Sequence, residues 1–178
     1  MENPEIKENP KFPEIAQDIN IMAGVDQDMR QKEINEPGFW DDTVDKANTE
    51  RMKVIITQIG WPTISKVGED ASKNAWLLVQ HADHDVGFQK QCLDMMKQEP
   101  ANEVNQSDVA YLEDRTRVNS GQLQLYGTQF NNIGGKYIPK EIEDPEYVEE
   151  RRRTMGLSSL AENTELMYQK YKSEKPKE

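Results

Sequence analysis

Residues 75–85 read AWLLVQHADHD, an apolar run that passes without a break into polar residues. A helix carrying AWLLV is apolar on every side, and such a helix belongs inside a protein and not on its surface. A helix that starts near Gly68 is therefore expected at the centre of the fold, and its C-terminal end delivers Gln80, His81, Ala82 and Asp83. The remaining segments have to wrap this helix and meet its end.

Upstream, Ile15, Ile19, Met22 and Met29 recur at helical spacing and predict an amphipathic helix over 14–32. Asp26 falls on the same stripe. A core-facing carboxylate needs a partner, and Arg30 stands one turn later at i+4, the spacing of an ion pair on one helix face, with Gln27 beside them. EPGFW at 36–40 breaks the pattern. Asp41 or Asp42 then caps a second helix through Ile59, with Val44, Asn48, Arg51, Ile55 and Ile59 in one line, and Gly60, Trp61 and Pro62 end it.

Downstream, Asp85 is placed to cap a helix whose apolar stripe is Phe88, Cys92, Met95 and Met96, ending near Glu99 and Pro100. Ser107 is placed to cap the next, with Val109, Leu112 and Thr116 inward and Asp114 and Arg115 near its end. GQLQLYGTQF at 121–130 alternates as a strand does, and NNIGG and KYIPKEI follow it. That order predicts a β-hairpin near 122–142 with its turn at Gly134 and Gly135, and puts Gln124, Tyr126 and Thr128 on one face. Asp144 and Pro145 open another helix, Gly156 stops it, and Ser159 with Glu162 forms a capping box for a last helix to about Lys172. The fold class is mainly α: a single-domain multi-helix bundle over 14–172 with a small β-hairpin. The charged, proline-bearing ends, 1–13 and 173–178, read as mobile tails.

The chain has 178 residues, and its 22 Lys and Arg against 33 Asp and Glu give a formal charge of −11. That excess excludes general nucleic-acid binding, which needs cations laid along phosphates. One cysteine, Cys92, excludes an internal disulfide and a cysteine-cluster metal site. No apolar run reaches the roughly 18 residues that signal a membrane span, so no membrane insertion is expected. The first twenty residues lack a basic start and an apolar core, which speaks against a secretory precursor. The cytoplasm is the expected compartment, with a mature secreted form as the alternative.

DQDMR at 26–30, GWPTISKVG at 60–68, AWLLVQHADHD at 75–85, AYLEDRTRV at 110–118 and QLYGTQF at 124–130 together resemble the DUF6624 family of uncharacterised bacterial proteins. The resemblance continues into IEDPEYVEERRRTMGL at 142–157 and covers most of 15–160. It implies that the polar residues of these segments, above all the QHAD and YGTQ words, form the family's motif, to which His84 does not belong. It also implies both cytoplasmic and exported members, and it supplies no reaction.

Histidine is the side chain that ordinarily ionises near neutral pH, which makes the motif residue His81 the candidate general acid or base. The plain alternative is a helix-end histidine that caps carbonyls. In the catalytic reading Asp83 or Asp114 orients His81. Arg115 holds an anionic or carbonyl oxygen, and Tyr126 or Gln129 donates to the same ligand. Asp26, Gln27, Arg30, Trp61, Gln80, Gln124 and Thr128 complete the expected ligand-binding set. Trp61 has a second account, since a Trp between Gly and Pro wedges a loop against the core.

His81 and His84 at i,i+3 beside Asp83 and Asp85 suit zinc or iron on paper, yet HxxH alone is a weak pattern, so neither metal nor cofactor is expected. Cys92 reads as an inert core thiol, and Ser107, Ser158 and Ser159 as caps. No nucleophile elbow, P-loop or dinucleotide-binding glycine pattern is present. Arg151, Arg152 and Arg153 read as a solvated face, with Glu149 and Arg153 paired at i+4. The expected function is small-ligand binding, extending to hydrolysis or group transfer. The rival is a noncatalytic module with a protein partner, in which the motif residues form a buried structural network.

Overall fold

The computed structural model describes residues 9–134 and 136–173. Its helices are α1 (Pro13–Asn35), α2 (Asp42–Ile59), α3 (Ile64–Val67), α4 (Glu69–Gln80), α5 (Val86–Gln98) and α6 (Gln106–Asn119). A hairpin of β1 (Phe130–Ile133) and β2 (Lys136–Pro139) follows. A 3-10 turn at Pro145–Tyr147 then leads into α7 (Val148–Thr154), and α8 (Leu160–Ser173) is last. The architecture is mainly α with one small antiparallel sheet, as the sequence predicts.

α4 is central. It packs against α1, α2, α3, α5 and α6, and Ala75, Leu78 and Val79 are buried in the core. Gly68, at φ +84, is the backbone break that turns the chain from α3 into α4. α1 buries Ile19, Ala23, Asp26 and Met29 along one stripe, so the carboxylate sits on the core face as its spacing implies.

Three local expectations are corrected, and one short helix is added. α2 buries Asn48, Thr49, Met52, Ile55 and Ile56, whereas Arg51 lies outside the stripe and pairs with Asp18 at 2.6 Å. The buried line is thus turned by about one residue from the one read off the sequence, because Met52 supplies more apolar area than the stem of Arg51, while Ile59 packs against the core only partly buried. The single-turn α3 carried no periodic signal. α6 is capped by Asn105, whose side chain accepts from Ser107 N at 3.0 Å, so Ser107 is inside the helix. The segment before the hairpin, 121–129, is not a strand.

The hairpin pairs Phe130 with Pro139 and Ile133 with Lys136. Gly134 makes its turn at φ +59, and Gly135 lies outside the described residues. Ser159 and Glu162 form the expected capping box, with Ser159 N donating to Glu162 Oε2 at 2.9 Å and Glu162 N to Ser159 Oγ at 3.2 Å.

Of the ends read as tails, residues 1–8 and 174–178 lie outside the described residues. Lys11 N and Phe12 N donate to Ser65 O and Lys66 O at 3.2 and 2.8 Å, which ties the start of α1 to α3. Among the described residues no helix is long and apolar enough to cross a membrane.

Candidate functional site

α1 and α4 bring Asp26 against His81. Asp26 is 0% exposed, and both of its oxygens lie 3.0 Å from His81 Nδ1. Arg30 Nε and Nη2 donate to the same carboxylate at 3.0–3.2 Å, and Gln27 Nε2 adds a bond at 2.7 Å. Burial works to raise the Asp26 carboxyl, but the hydrogen bonds from His81 and Arg30 outweigh it and hold the group well below the usual carboxylate range. An ionised carboxylate only accepts, so the Asp26 contact places the proton of neutral His81 on Nδ1. Among the described residues Nε2 has no hydrogen-bond partner.

α2 adds Asp45, whose Oδ1 accepts from Arg30 Nη2 at 2.8 Å. Burial pushes the Asp45 carboxyl above its ordinary range, with Arg30 opposing and Asp26 adding to the shift. Trp40, in the loop before α2, stacks over the Arg30 guanidinium at 4.9 Å from ring centroid to Cζ and is 46% exposed at the rim.

The second half of the site starts from Asp83, just past the end of α4. Arg115 Nε donates to Asp83 Oδ1 at 2.8 Å and Arg115 Nη2 to its Oδ2. Asn119 Nδ2 donates to Oδ1 at 2.7 Å, and Gln89 Nε2 at 3.3 Å. Desolvation by these neighbours would raise Asp83, but the bonds from Arg115 and Asn119 lower it on balance. Arg115 Nη1 in turn donates to Gln129 Oε1 at 3.1 Å. Asp83 is thus held by Arg115 and does not orient His81; Asp26 takes that place.

Asp114 does not orient His81 either, and it lies outside the cleft. It is fully buried on α6 and accepts Leu125 N at 2.7 Å, Tyr126 N at 3.1 Å, Thr128 N at 3.0 Å and Thr128 Oγ1 at 2.9 Å. Its burial raises the carboxyl, against the pull of those N–H donors. The carboxylate takes the backbone bonds that a ladder would have used, which is why 121–129 alternates in sequence yet forms a loop. Gln124, Tyr126 and Thr128 therefore share no strand face. Gln124 is buried and bonds Gln129 N and O, while Tyr126 Oη donates to Glu113 on another side of α6 at 3.3 Å.

From the outside the loop is held by arginines expected to face solvent. Arg152 is 1% exposed and donates to Ser158 O and Tyr126 O, and Arg151 Nε donates to Leu125 O at 2.8 Å. Only Arg153 is exposed. The expected Glu149–Arg153 pair is not made among the described residues, since Glu149 Oε1 accepts from Leu160 N at 3.0 Å. The burial of Arg152 had no local signal, because its partners are carbonyls outside its own helix.

The open space between the two halves measures about 320 Å³ and is lined by His81, Asp83, His84, Arg115, Arg30, Trp40, Asp42, Asp45 and Lys46. Of the residues singled out from sequence, it collects Arg30, His81, Asp83 and Arg115, with Asp26 and Gln27 behind His81 and Gln129 behind Arg115. Trp61 is 1% exposed in the core, and Gln80 is buried under the end of α4. Asp45, Trp40, Gln89 and Asn119 belong to the site and went unread. Asp45 alone carried a signal, because positions 45, 49, 52 and 56 recur at helical spacing.

One atom each from Asp26, Asp45 and His81 lie within 4.8 Å of one another, a donor set of the kind that divalent metals use. Arg30 Nη2 already bridges the two carboxylates at 3.0 and 2.8 Å, so a metal ion would have to displace a paired guanidinium. His84 lines the cleft but is not one of the three.

A helical bundle with a histidine–carboxylate pair at the mouth of a polar cleft is the class that these features define. Residues 13–175 match the family of unknown function DUF6624, and the chain belongs to that family. No curated protein and no solved structure matches it.

Proposed function

We propose that the cleft binds a small polar ligand and that His81 is its acid–base group, which makes the protein a hydrolase or group-transfer enzyme. The observation that supports this reading is the contact of His81 Nδ1 with both Asp26 oxygens at 3.0 Å, which leaves Nε2 as the working nitrogen of a residue lining the cleft. A neutral imidazole so held takes a proton at Nε2 from water or a substrate hydroxyl, and the buried Asp26 charge stabilises the imidazolium that forms. The proton then passes from Nε2 to the leaving group. Arg115, fixed by Asp83 and Gln129, is positioned to meet a developing oxyanion.

The test is turnover of p-nitrophenyl acetate and p-nitrophenyl phosphate by wild type and His81→Gln, with melting temperature as the fold control. General acid–base catalysis is worth about 10²–10⁴-fold, so a folded His81→Gln is expected to lose at least about 100-fold. Equal turnover by both proteins sinks the reading.

A second reading rests on a different observation. Each cleft cation already has an internal carboxylate: Arg30 has Asp26 and Asp45, Lys46 has Asp42, and Arg115 has Asp83. A site whose charges are spent on one another suits a noncatalytic protein-interaction module with the motif residues as its structural network. The single thiol, buried in the core with its pKa pushed up to about 12 by desolvation, is compatible with the reducing cytoplasm and equally with a secreted form.

A further inference from the structure

A second cavity, of about 130 Å³, lies at the opposite end of α4 from His81, between the first turns of α4 and α6. Asp108 lines it from the first turn of α6 and is only 7% exposed, yet among the described residues it has no side-chain hydrogen bond or ion pair. An acidic residue in a first helical turn is favoured by the helix dipole, which accounts for its position in sequence but not for its burial. Burial pushes the Asp108 carboxyl up to about 6, with Lys73 pulling the other way. Lys73 lines the same cavity from α4, is exposed, and has no ion-pair partner among the described residues. Trp61, Ile64, Met96 and Val104 supply apolar wall.

A buried carboxyl that bonds nothing costs stability, and a chain keeps such a group most readily where something else satisfies it. We propose that this cavity is a second ligand site, and that it takes a small zwitterionic α-amino acid. The ammonium group donates to Asp108, the carboxylate meets Lys73, and the side chain rests on Trp61 and Met96. Glu69 lines the same cavity one turn before Lys73, so a simple anion would be repelled by two carboxylates, while a simple amine would forgo the contact that a carboxylate makes with Lys73. A drug-sized ligand takes a pocket of about 300–1,000 Å³, so the volume here restricts the ligand to the smallest amino acids.

Calorimetric titration at neutral pH with L-alanine, and with ethylamine and propionate as its halves, tests the proposal. L-alanine is expected to bind, each half at least about tenfold more weakly, and Asp108→Asn and Lys73→Met each to weaken L-alanine about tenfold or more, one charge-assisted contact being worth about that much. The Trp61 indole resonance is expected to shift on titration, which places the ligand here and not in the His81 cleft. Asp108→Asn preserves shape and Lys73 is exposed, so both variants should fold. The proposal fails if L-alanine, glycine and L-serine all give no binding at about 10 mM, where even millimolar affinity would show. It fails equally if ethylamine binds as tightly as L-alanine, if Asp108→Asn binds unchanged, or if the Trp61 resonance stays still.

Discussion

His81 Nδ1 stands 3.0 Å from both oxygens of Asp26, a residue 55 positions earlier in the chain. The contact joins the middle of the first helix to the end of the central one. Arg30 then extends it to Asp45 on a third helix, so one buried carboxylate ties three helices to the cleft.

The acid response of the protein should centre on Asp26. Its folded pKa is depressed, so its stabilising contribution is present above the ordinary carboxylate range and is lost as pH falls through and below about 4. Asp26→Asn leaves Arg30 partly unpaired and is expected to cost about 3–5 kcal/mol at neutral pH, the usual effect of breaking a buried ion pair. Urea unfolding of wild type and variant from pH 7 to pH 3 checks both points. Stability curves that run parallel over that range would remove Asp26 as the acid-sensitive group.

Asp108 should behave in the opposite sense. Its folded pKa of about 6 lies above the ordinary value of 3.8, so it destabilises the protein above about pH 6 and this loss is relieved on acidification toward 4. Asp108→Asn is therefore expected to raise stability at pH 7 by about 1–3 kcal/mol, a shift of one pKa unit corresponding to about 1.4 kcal/mol. Thermal melts at pH 7 and pH 4.5 make the comparison; a variant less stable than wild type at pH 7 contradicts it.

Gly127 tests the loop that Asp114 holds. It sits at φ +70, and an added Cβ would lie 2.6 Å from Leu160 Cδ1 and 3.0 Å from Ile142 Cδ1. Gly127→Ala combines a left-handed backbone with a clash against the start of α8, so a loss of about 2 kcal/mol or more is expected. Hydrogen exchange should quicken most at the Leu125, Tyr126 and Thr128 amides. Unchanged exchange there would mean that the loop tolerates a side chain at this point.

Arg152 offers a further check on the same loop. It is buried and donates to the carbonyls of Ser158 and Tyr126, so Arg152→Met is expected to destabilise by about 2–3 kcal/mol, the scale of hydrogen bonds to a charged group. Arg153→Met, altering an exposed neighbour, should stay within about 0.5 kcal/mol. Equal melting temperatures for the two variants would return Arg152 to the surface reading.

The Asp26–Arg30 pair was legible because both partners lie on one helix, where the 3.6-residue period fixes their geometry locally. Asp85 as a cap and the Ser159–Glu162 capping box were legible for the same reason. Asp114 was not, because apart from the Thr128 hydroxyl its partners are backbone amides 11 to 14 residues on, and no side-chain pattern marks an amide as a donor. The alternation of 121–129 misled because a period of two describes polarity along an extended chain, whether or not a neighbouring strand exists to pair with it.

What the sequence determined by itself is the helices other than α3, the central place of α4, and the delivery of His81 and Asp83 at its end, since periodicity, capping and apolar run length are local properties. Which carboxylate serves His81, which arginine clamps Asp83, and how Asp114 holds the loop by its amides and Arg152 by a carbonyl were decided only by the tertiary structure. Those pairings depend on where separate helices cross, and crossing geometry is set by the packing of all their buried side chains at once.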